Sequence, residues 1–202
     1  MTEGLRERKK RETRIALSWA AIRLVVERGY ANVRIEDIAA EAGVSVRTFR
    51  NYFNSKPEAI AARQVERGHA VNSALRARPA DEPLWDAVRA AVATGFLLGQ
   101  DDDAGQQLPD ESWLAGVRLM VAEPALQGAL AAAQAAVTEE LVGIVAERTG
   151  ATDVYPRLVA EVIGAAQLAA MHEWLRGDPP RSMFELFHEV VDRVTAGLPE
   201  PA

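Results

Sequence analysis

Cysteine is absent from the chain, which excludes disulfide frameworks, thiolate zinc sites and cysteine nucleophiles. Histidine is almost as scarce. His69, His172 and His188 are the only imidazoles and leave little material for a metal enzyme, so neither a metal nor a cofactor is expected. No run approaches the roughly 18 apolar residues that a membrane span needs. The N-terminus imitates a secretory signal, with basic residues 8–14 ahead of apolar residues 15–22. Glu7 and Glu12 spoil its first part, Arg23 cuts the second short, and no cleavage-like site follows. The expectation is a cytoplasmic chain without a membrane partner.

What is present is ordinary in amount but uneven in arrangement. The 202 residues are 49 % apolar and 26 % charged, enough for one large or two small globular domains and too apolar for wholesale disorder. The net charge of −6 hides a split: residues 1–80 hold 16 Lys/Arg against 9 Asp/Glu, and the remainder 7 against 20. A basic third joined to an acidic remainder suggests two jobs, the first with a polyanion as partner; the alternative is merely uneven surface charge.

Helical periodicity dominates, and no stretch alternates with period two. Ile15, Ile22, Val25 and Val26 mark a first helix closed by Gly29. A short helix over 35–41 ends at Ala42-Gly43, and Ser45 can cap the next, whose packing side carries Phe49, Tyr52 and Phe53. A fourth helix begins at Pro57 and runs to about Ala77. Residues 79–83 are a break with a composition shift. Beyond it, helices are expected over 84–96, 111–122, 124–149 and 156–176, with a polar loop over 101–109. The 156–176 helix is apolar almost all round, which implies contact on more than one side. Ser182 and Glu185 have capping-box spacing before the last helix.

Residues 35–56, IEDIAAEAGVSVRTFRNYFNSK, carry the functional signal. Two short helices crossing steeply need a small, tight turn. Gly43 supplies the permissive backbone, Val44 plugs the turn into the core, and Ala39 allows close approach. Such a unit presents its second helix to the major groove. With Glu27-Arg28-Gly29-Tyr30, Asp37-Ile38-Ala39, Ala42-Gly43-Val44-Ser45, Thr48, Tyr52-Phe53 and Ser55-Lys56 in order, the chain resembles the tetracycline-repressor (TetR) family of bacterial transcription regulators over about residues 10–60.

The resemblance implies an all-α homodimer: residues 1–56 a three-helix helix-turn-helix DNA-binding domain, 57–80 a connecting helix, and 81–202 a helical ligand-binding and dimerisation domain. Arg47 and Arg50 suit bidentate contacts to guanine, Asn51 to adenine, and Val46 a thymine methyl. For both arginines a phosphate contact or a solvated charge remains open. Arg34, Ser45, Thr48, Tyr52 and Lys56 stand where the family commonly holds phosphates, fixing register without reading sequence. In place of the family's usual Thr pair ahead of the second helix stand Val33-Arg34. Arg34 restores charge but not a hydroxyl cap, for which Asn32 is a candidate. Glu36 either accepts from a cytosine amino group or favours the helix N-terminus. Trp19 packs in the core or against the C-terminal domain. The basic stretch from Arg6 to Arg14 either trails along a groove or is a solvated helix end.

In the C-terminal part, Trp85, Phe96, Trp113, Met120, Met171 and Trp174 are expected to line an apolar effector cavity, with Arg118, Gln134, Gln167 and His172 as candidate polar groups. The region 120–150 and Trp174-Leu175 look similar to a branch of the family associated with acyl-CoA-like ligands, although the acidic character suits a neutral or cationic apolar effector better. Phe184, Phe187, Val191 and Val194 form a stripe for the dimer seam, with the small residues 164–170 of the preceding helix allowing close approach. Helix-turn-helix dimers read half-sites about 34–36 Å apart. The leading reading is thus a repressor released from a palindromic DNA operator by a small apolar effector, the alternative a DNA-binding regulator whose C-terminal domain takes a protein partner. An enzyme is not expected, because the acidic residues Asp101, Asp102, Asp103 and Asp110 and the pair His172-Glu173 form no nucleophile–base or established cation pattern.

Overall fold

The computed structural model describes residues 4–97, 111–176 and 181–200, and these are all-α. In chain order the helices are α1 (Leu5–Arg28), α2 (Ile35–Glu41), α3 (Val46–Arg50), α4 (Lys56–Ala77), α5 (Leu84–Leu97), α6 (Glu111–Val121), α7 (Pro124–Thr149), α8 (Tyr155–Arg176) and α9 (Met183–Thr195), with a single 3-10 turn at Tyr30–Asn32 after α1. The expected loop at 101–109 lies outside the described residues. α1 starts well before Ile15, the first apolar residue expected to mark it, because Arg, Lys and Glu are good helix formers and Arg8 pairs with Glu12 one turn on, at 3.4 Å.

Two compact units emerge, and they cut across the expected sequential division at residues 56 and 80. The first gathers Met1–Glu66 with Leu108–Ala133, the second Arg67–Gln107 with Gln134–Ala202. In the first, Leu17, Leu24, Val25, Ile38, Phe49, Phe53 and Ile60 form a core that also takes in Met120 and Leu126. α6 therefore belongs with the helix-turn-helix. Its Gly116 meets α1 so closely that a Cβ there would stand 2.6 Å from the Val26 carbonyl oxygen. Val117 and Val121 pack on the same core.

The second unit is built round Leu75, Val88, Val92, Ile144, Val145, Ile163, Phe187 and Val191. Two of the residues expected at a dimer seam thus lie elsewhere: Phe187 and Val191 are 0 % exposed inside their own chain's core. Spacing of three and four reports a buried face without saying which chain buries it. Phe184 and Val194, beside that face, are half-buried. α8 likewise turns Val159, Ile163, Ala166 and Ala170 inward and leaves Leu158 and Leu168 uncovered, 55 % and 50 % exposed. α7 is long and apolar enough by composition to cross a bilayer. Yet it buries Leu126, Val137, Leu141, Ile144 and Val145 in protein cores.

Candidate nucleic-acid interface

The turn between α2 and α3 is built by main-chain hydrogen bonds around one left-handed residue. Gly43 has φ +67°, a region that a side chain would strain. Its N–H donates to the Ala40 carbonyl at 3.0 Å and that of Val44 to the Ala39 carbonyl at 2.9 Å. These two bonds are the Schellman closure that ends α2. Ser45 then caps α3: its hydroxyl accepts from the Thr48 N–H at 3.0 Å and lies 2.8 Å from the Thr48 hydroxyl.

α3 is only five residues long, and what fixes it is a wedge beneath. Phe49 and Phe53 are 0 % and 1 % exposed, their rings 5.8 Å apart and tilted by 54°. With that face committed, Arg47, Arg50 and Asn51 are left exposed. Neither arginine makes an ion pair or hydrogen bond among the described residues, so both guanidiniums keep all their donors for an external acceptor. Val46, Thr48 and Tyr52 are half-buried, Val46 and Tyr52 against the core of the first unit. Ser45 and Arg34 are exposed.

The start of α2 corrects one expectation. Asn32 does not cap it; its side-chain amide donates to the Arg28 carbonyl at 2.7 Å and so finishes α1. α2 begins after Arg34, whose N–H donates to the Asp37 carboxylate at 2.8 Å, the returning half of a capping box. Glu36 is exposed in the same first turn, where the helix dipole favours an acid.

Lys56 also departs from expectation. Its ammonium donates to the main-chain carbonyls of Tyr30 and of Val33, the latter at 2.7 Å, and lies 3.7 Å from the Tyr30 ring centroid. Burial holds its pKa below the ordinary lysine value, against the pull of nearby Glu123. A half-buried amine spending two of its three protons on the protein locks the 3-10 turn in place instead of meeting a phosphate as expected. Trp19 takes the core option: it packs on the first unit's core with the Arg63 guanidinium 4.8 Å above its ring. Arg63, 6 % exposed, pairs with Glu66 at 3.0 Å. The sequence offered no sign of the Arg63–Trp19 contact, since the partners meet only once α1 and α4 are packed.

The expected effector-cavity residues are not gathered in one place. Met120 is 9 % exposed in the first unit's core, because α6 buries that face. Arg118, on the same helix, and His172, on α8, are exposed. Trp85 and Trp174 are half-buried against the second unit's core, and Gln167 and Met171 are half-buried on α8. Gln134 donates to the Thr138 hydroxyl at 3.3 Å. The side chains of Phe96 and Trp113 lie outside the described residues, as do Asp101, Asp102, Asp103 and Asp110. An open groove of about 540 Å³ runs instead along α9, lined by Phe184, Glu185, His188, Glu189, Asp192 and Arg193 with Ala196 and Pro199.

Comparison with known proteins meets this geometry at both ends of the chain. Residues 19–62 match the family model described as bacterial regulatory proteins, tetR family, and residues 82–199 match the MftR C-terminal domain. The HTH-type transcriptional regulator TcmR of Streptomyces glaucescens is 32 % identical over 180 residues, 87 % of this chain and 79 % of TcmR. The HTH-type transcriptional activator FasR of Mycolicibacterium smegmatis is 28 % identical over 172 residues, 84 % of this chain and 75 % of FasR. Among solved structures, the fatty acid degradation regulator FadR from Bacillus halodurans shares the fold over 100 % of both chains, with a TM-score of 0.62 at 16 % identity. With the family model over the helix-turn-helix and a relative of this identity and coverage, the chain belongs to the TetR family of DNA-binding transcriptional regulators, which are not enzymes.

Proposed function

We propose that the protein is a cytoplasmic repressor that binds a palindromic operator as a homodimer and leaves it when a small apolar effector binds the C-terminal part. The observation that carries this reading is the exposure of Arg47, Arg50 and Asn51 on a helix whose other face is committed to the core. Bidentate arginine–guanine and asparagine–adenine pairs are each worth about 1–3 kcal/mol of discrimination. Arg34, Ser45, Thr48 and Tyr52 border the same helix and would hold phosphates. Dimerisation is supported by the uncovered apolar face of α8, at Leu158 and Leu168, beside the α9 groove at Phe184 and His188. The seam would then run over those residues and Val194. An apolar effector is supported by Trp85, Met171 and Trp174, large side chains of the second unit that its own core covers only in part. Release then follows from the effector's preference for a conformation whose half-site spacing no longer fits the operator.

Selection of duplexes from random DNA, with and without candidate effectors, tests the whole scheme. A palindrome must emerge, and effector must weaken its capture; an effector that strengthens capture makes the protein a ligand-dependent binder instead. Arg47→Ala should cost about 1–3 kcal/mol on the selected site and relax preference at one base pair. A loss equal on selected and random DNA would refute base reading by Arg47.

A further inference from the structure

α4 belongs to both compact units: its residues up to Glu66 gather with the first, those from Arg67 with the second. Ala59, Ile60 and Ala62 accordingly sit in the first core, Val71 and Leu75 in the second. Just past that division α4 comes very close to α7, for a Cβ on Gly68 would stand 2.5 Å from Val137 Cγ1. From there the two helices run side by side in the same direction, Asn72 beside Val137 and Arg78 beside Arg148. The far end of this seam is pinned by a permanent cation. The Arg148 side chain, 7 % exposed, donates to the main-chain carbonyls of Arg78 at 3.3 Å, of Pro79, and of Glu82 at 2.8 Å. The near end is gathered by one carboxylate. Glu140 of α7 accepts from the buried Asn72 amide at 3.0 Å, and lies 2.7 Å from His69 Nδ1 and 3.6 Å from Arg76 Nη1. His69, Asn72 and Arg76 form one stripe of α4, at i, i+3 and i+7. The charged groups around them have partners of their own: on α4 Glu66 pairs with Arg63 and Arg67 is engaged too, and on α7 Glu139 pairs with Arg157 and Glu147 with Arg76. Among the side chains that tie α4 to α7 here, His69 is the one of a type that changes charge near neutral pH.

We infer that His69 and Glu140 form a pH-sensitive clasp that fixes α4 against α7, so that operator binding tightens as the medium turns acid. Protonating the imidazole converts a hydrogen bond into an ion pair. Glu140 stays ionised to take part, because the Asn72 amide first, then His69 and Arg76, hold its pKa below the ordinary carboxylate value against the opposing effect of burial. The clasp is therefore tightest on the acid side of the imidazole range and slackens as pH rises, while Arg148 holds the far end throughout. α4 is unbroken from Lys56 to Ala77, so a rotation at Gly68 is carried to its first turns, which follow α3 with only residues 51–55 between. The clasp is closed in the conformation that leaves Arg47 and Arg50 exposed on α3, which makes the closed form the DNA-reading one. The inference rests on the proposed operator binding and adds to it a regulatory input, the proton, that needs no effector.

The test measures affinity of the full chain for a selected operator and for a random-sequence duplex at about pH 6 and about pH 8.5, either side of the ordinary imidazole range. A largely exposed ion pair changes an equilibrium constant by about 1.5- to 5-fold. Wild type should bind the operator tighter by about that factor per protomer at the lower pH, with no such gain on random duplex, where half-site spacing is not read. His69→Gln should lose the gain. His69→Arg, a permanent cation, should bind at the higher pH as wild type does at the lower. Thermal melts of His69→Gln, Glu140→Gln and the double variant give the coupling of the pair without DNA, and it should be larger on the acid side. A coupling that ignores pH, a His69→Gln variant that keeps the wild-type gain, or an equal gain on random duplex would overturn the inference. A chain that selects no operator yet shows the pH-dependent coupling loses the operator reading and keeps the clasp.

Discussion

Adding one methyl group to Gly116 should loosen the seat of the helix-turn-helix without touching it. In Gly116→Ala the new Cβ would stand 2.6 Å from the Val26 carbonyl oxygen and 3.1 Å from its carbonyl carbon. Those are main-chain atoms of α1, which no rotamer change can move. α6 must shift off α1, at a cost typical of overpacking, about 1–3 kcal/mol. Against this, alanine gains about 0.8–1.0 kcal/mol over glycine within a helix. The net is a loss of up to about 2 kcal/mol, or up to about 4–8 °C in melting temperature for a chain of this size. Gly143→Ala isolates the propensity term, since nothing lies within 4 Å of a Cβ at that position of α7; it should stabilise by about 0.5–1 kcal/mol. Thermal unfolding followed by circular dichroism gives both values. The reasoning is refuted if Gly116→Ala melts as high as Gly143→Ala, for then the α1–α6 approach has slack that the geometry denies. DNA affinity adds a second readout: Gly116→Ala should weaken binding near its melting temperature, whereas Gly143→Ala should not.

Two further outcomes concern stability and pH. Lys56→Met removes a charged donor from two carbonyls and should cost about 2–3 kcal/mol, lowering the melting temperature while leaving the salt dependence of DNA binding unchanged; a slope reduced by about 0.9 without a stability loss would instead return Lys56 to a phosphate. Glu140 is held below the usual carboxylate pKa, first by the Asn72 side-chain amide at 3.0 Å and then by His69 at 2.7 Å and by Arg76, against the opposing effect of burial. Because the folded value is the lower one, its stabilisation is complete above about pH 4.5 and disappears as pH falls through the folded value. Asn72→Leu should flatten that acid limb in unfolding scans from pH 7 down to about 3, and an unchanged limb would show that Asn72 is not what holds the carboxylate charged.

What could be read from the sequence was local. Ser45 capping α3, Gly43 at the turn and Phe49 with Phe53 beneath depend on residues a few positions apart, and the structure places all of them as their spacing implies. Failures came where the deciding partner is distant in sequence. A lysine beside a recognition helix looks like a phosphate ligand until Tyr30, 26 residues earlier, offers its carbonyl and ring. A stripe at three and four residues fits a dimer seam until α5 and α8 bury Phe187 and Val191. Met120 follows a polar segment and looks like part of the body, yet α6 returns to pack on α1. The cap of α2 was present in the spacing of Arg34 and Asp37, but masked by the expectation of a hydroxyl in the preceding residues.

The brevity of α3 bears on how such a regulator changes its allegiance. Five residues are far too few for a helix to persist unaided in water, so its pose is borrowed from the two aromatic rings underneath. The side chains proposed above to meet the groove contribute nothing to that support. Under the proposed reading, Arg47, Arg50 and Asn51, all exposed, could be rewritten almost freely, redirecting the protein to new promoters while the scaffold stays as it is. The reverse holds for the rings: trimming either one would blur the reading of every promoter at once.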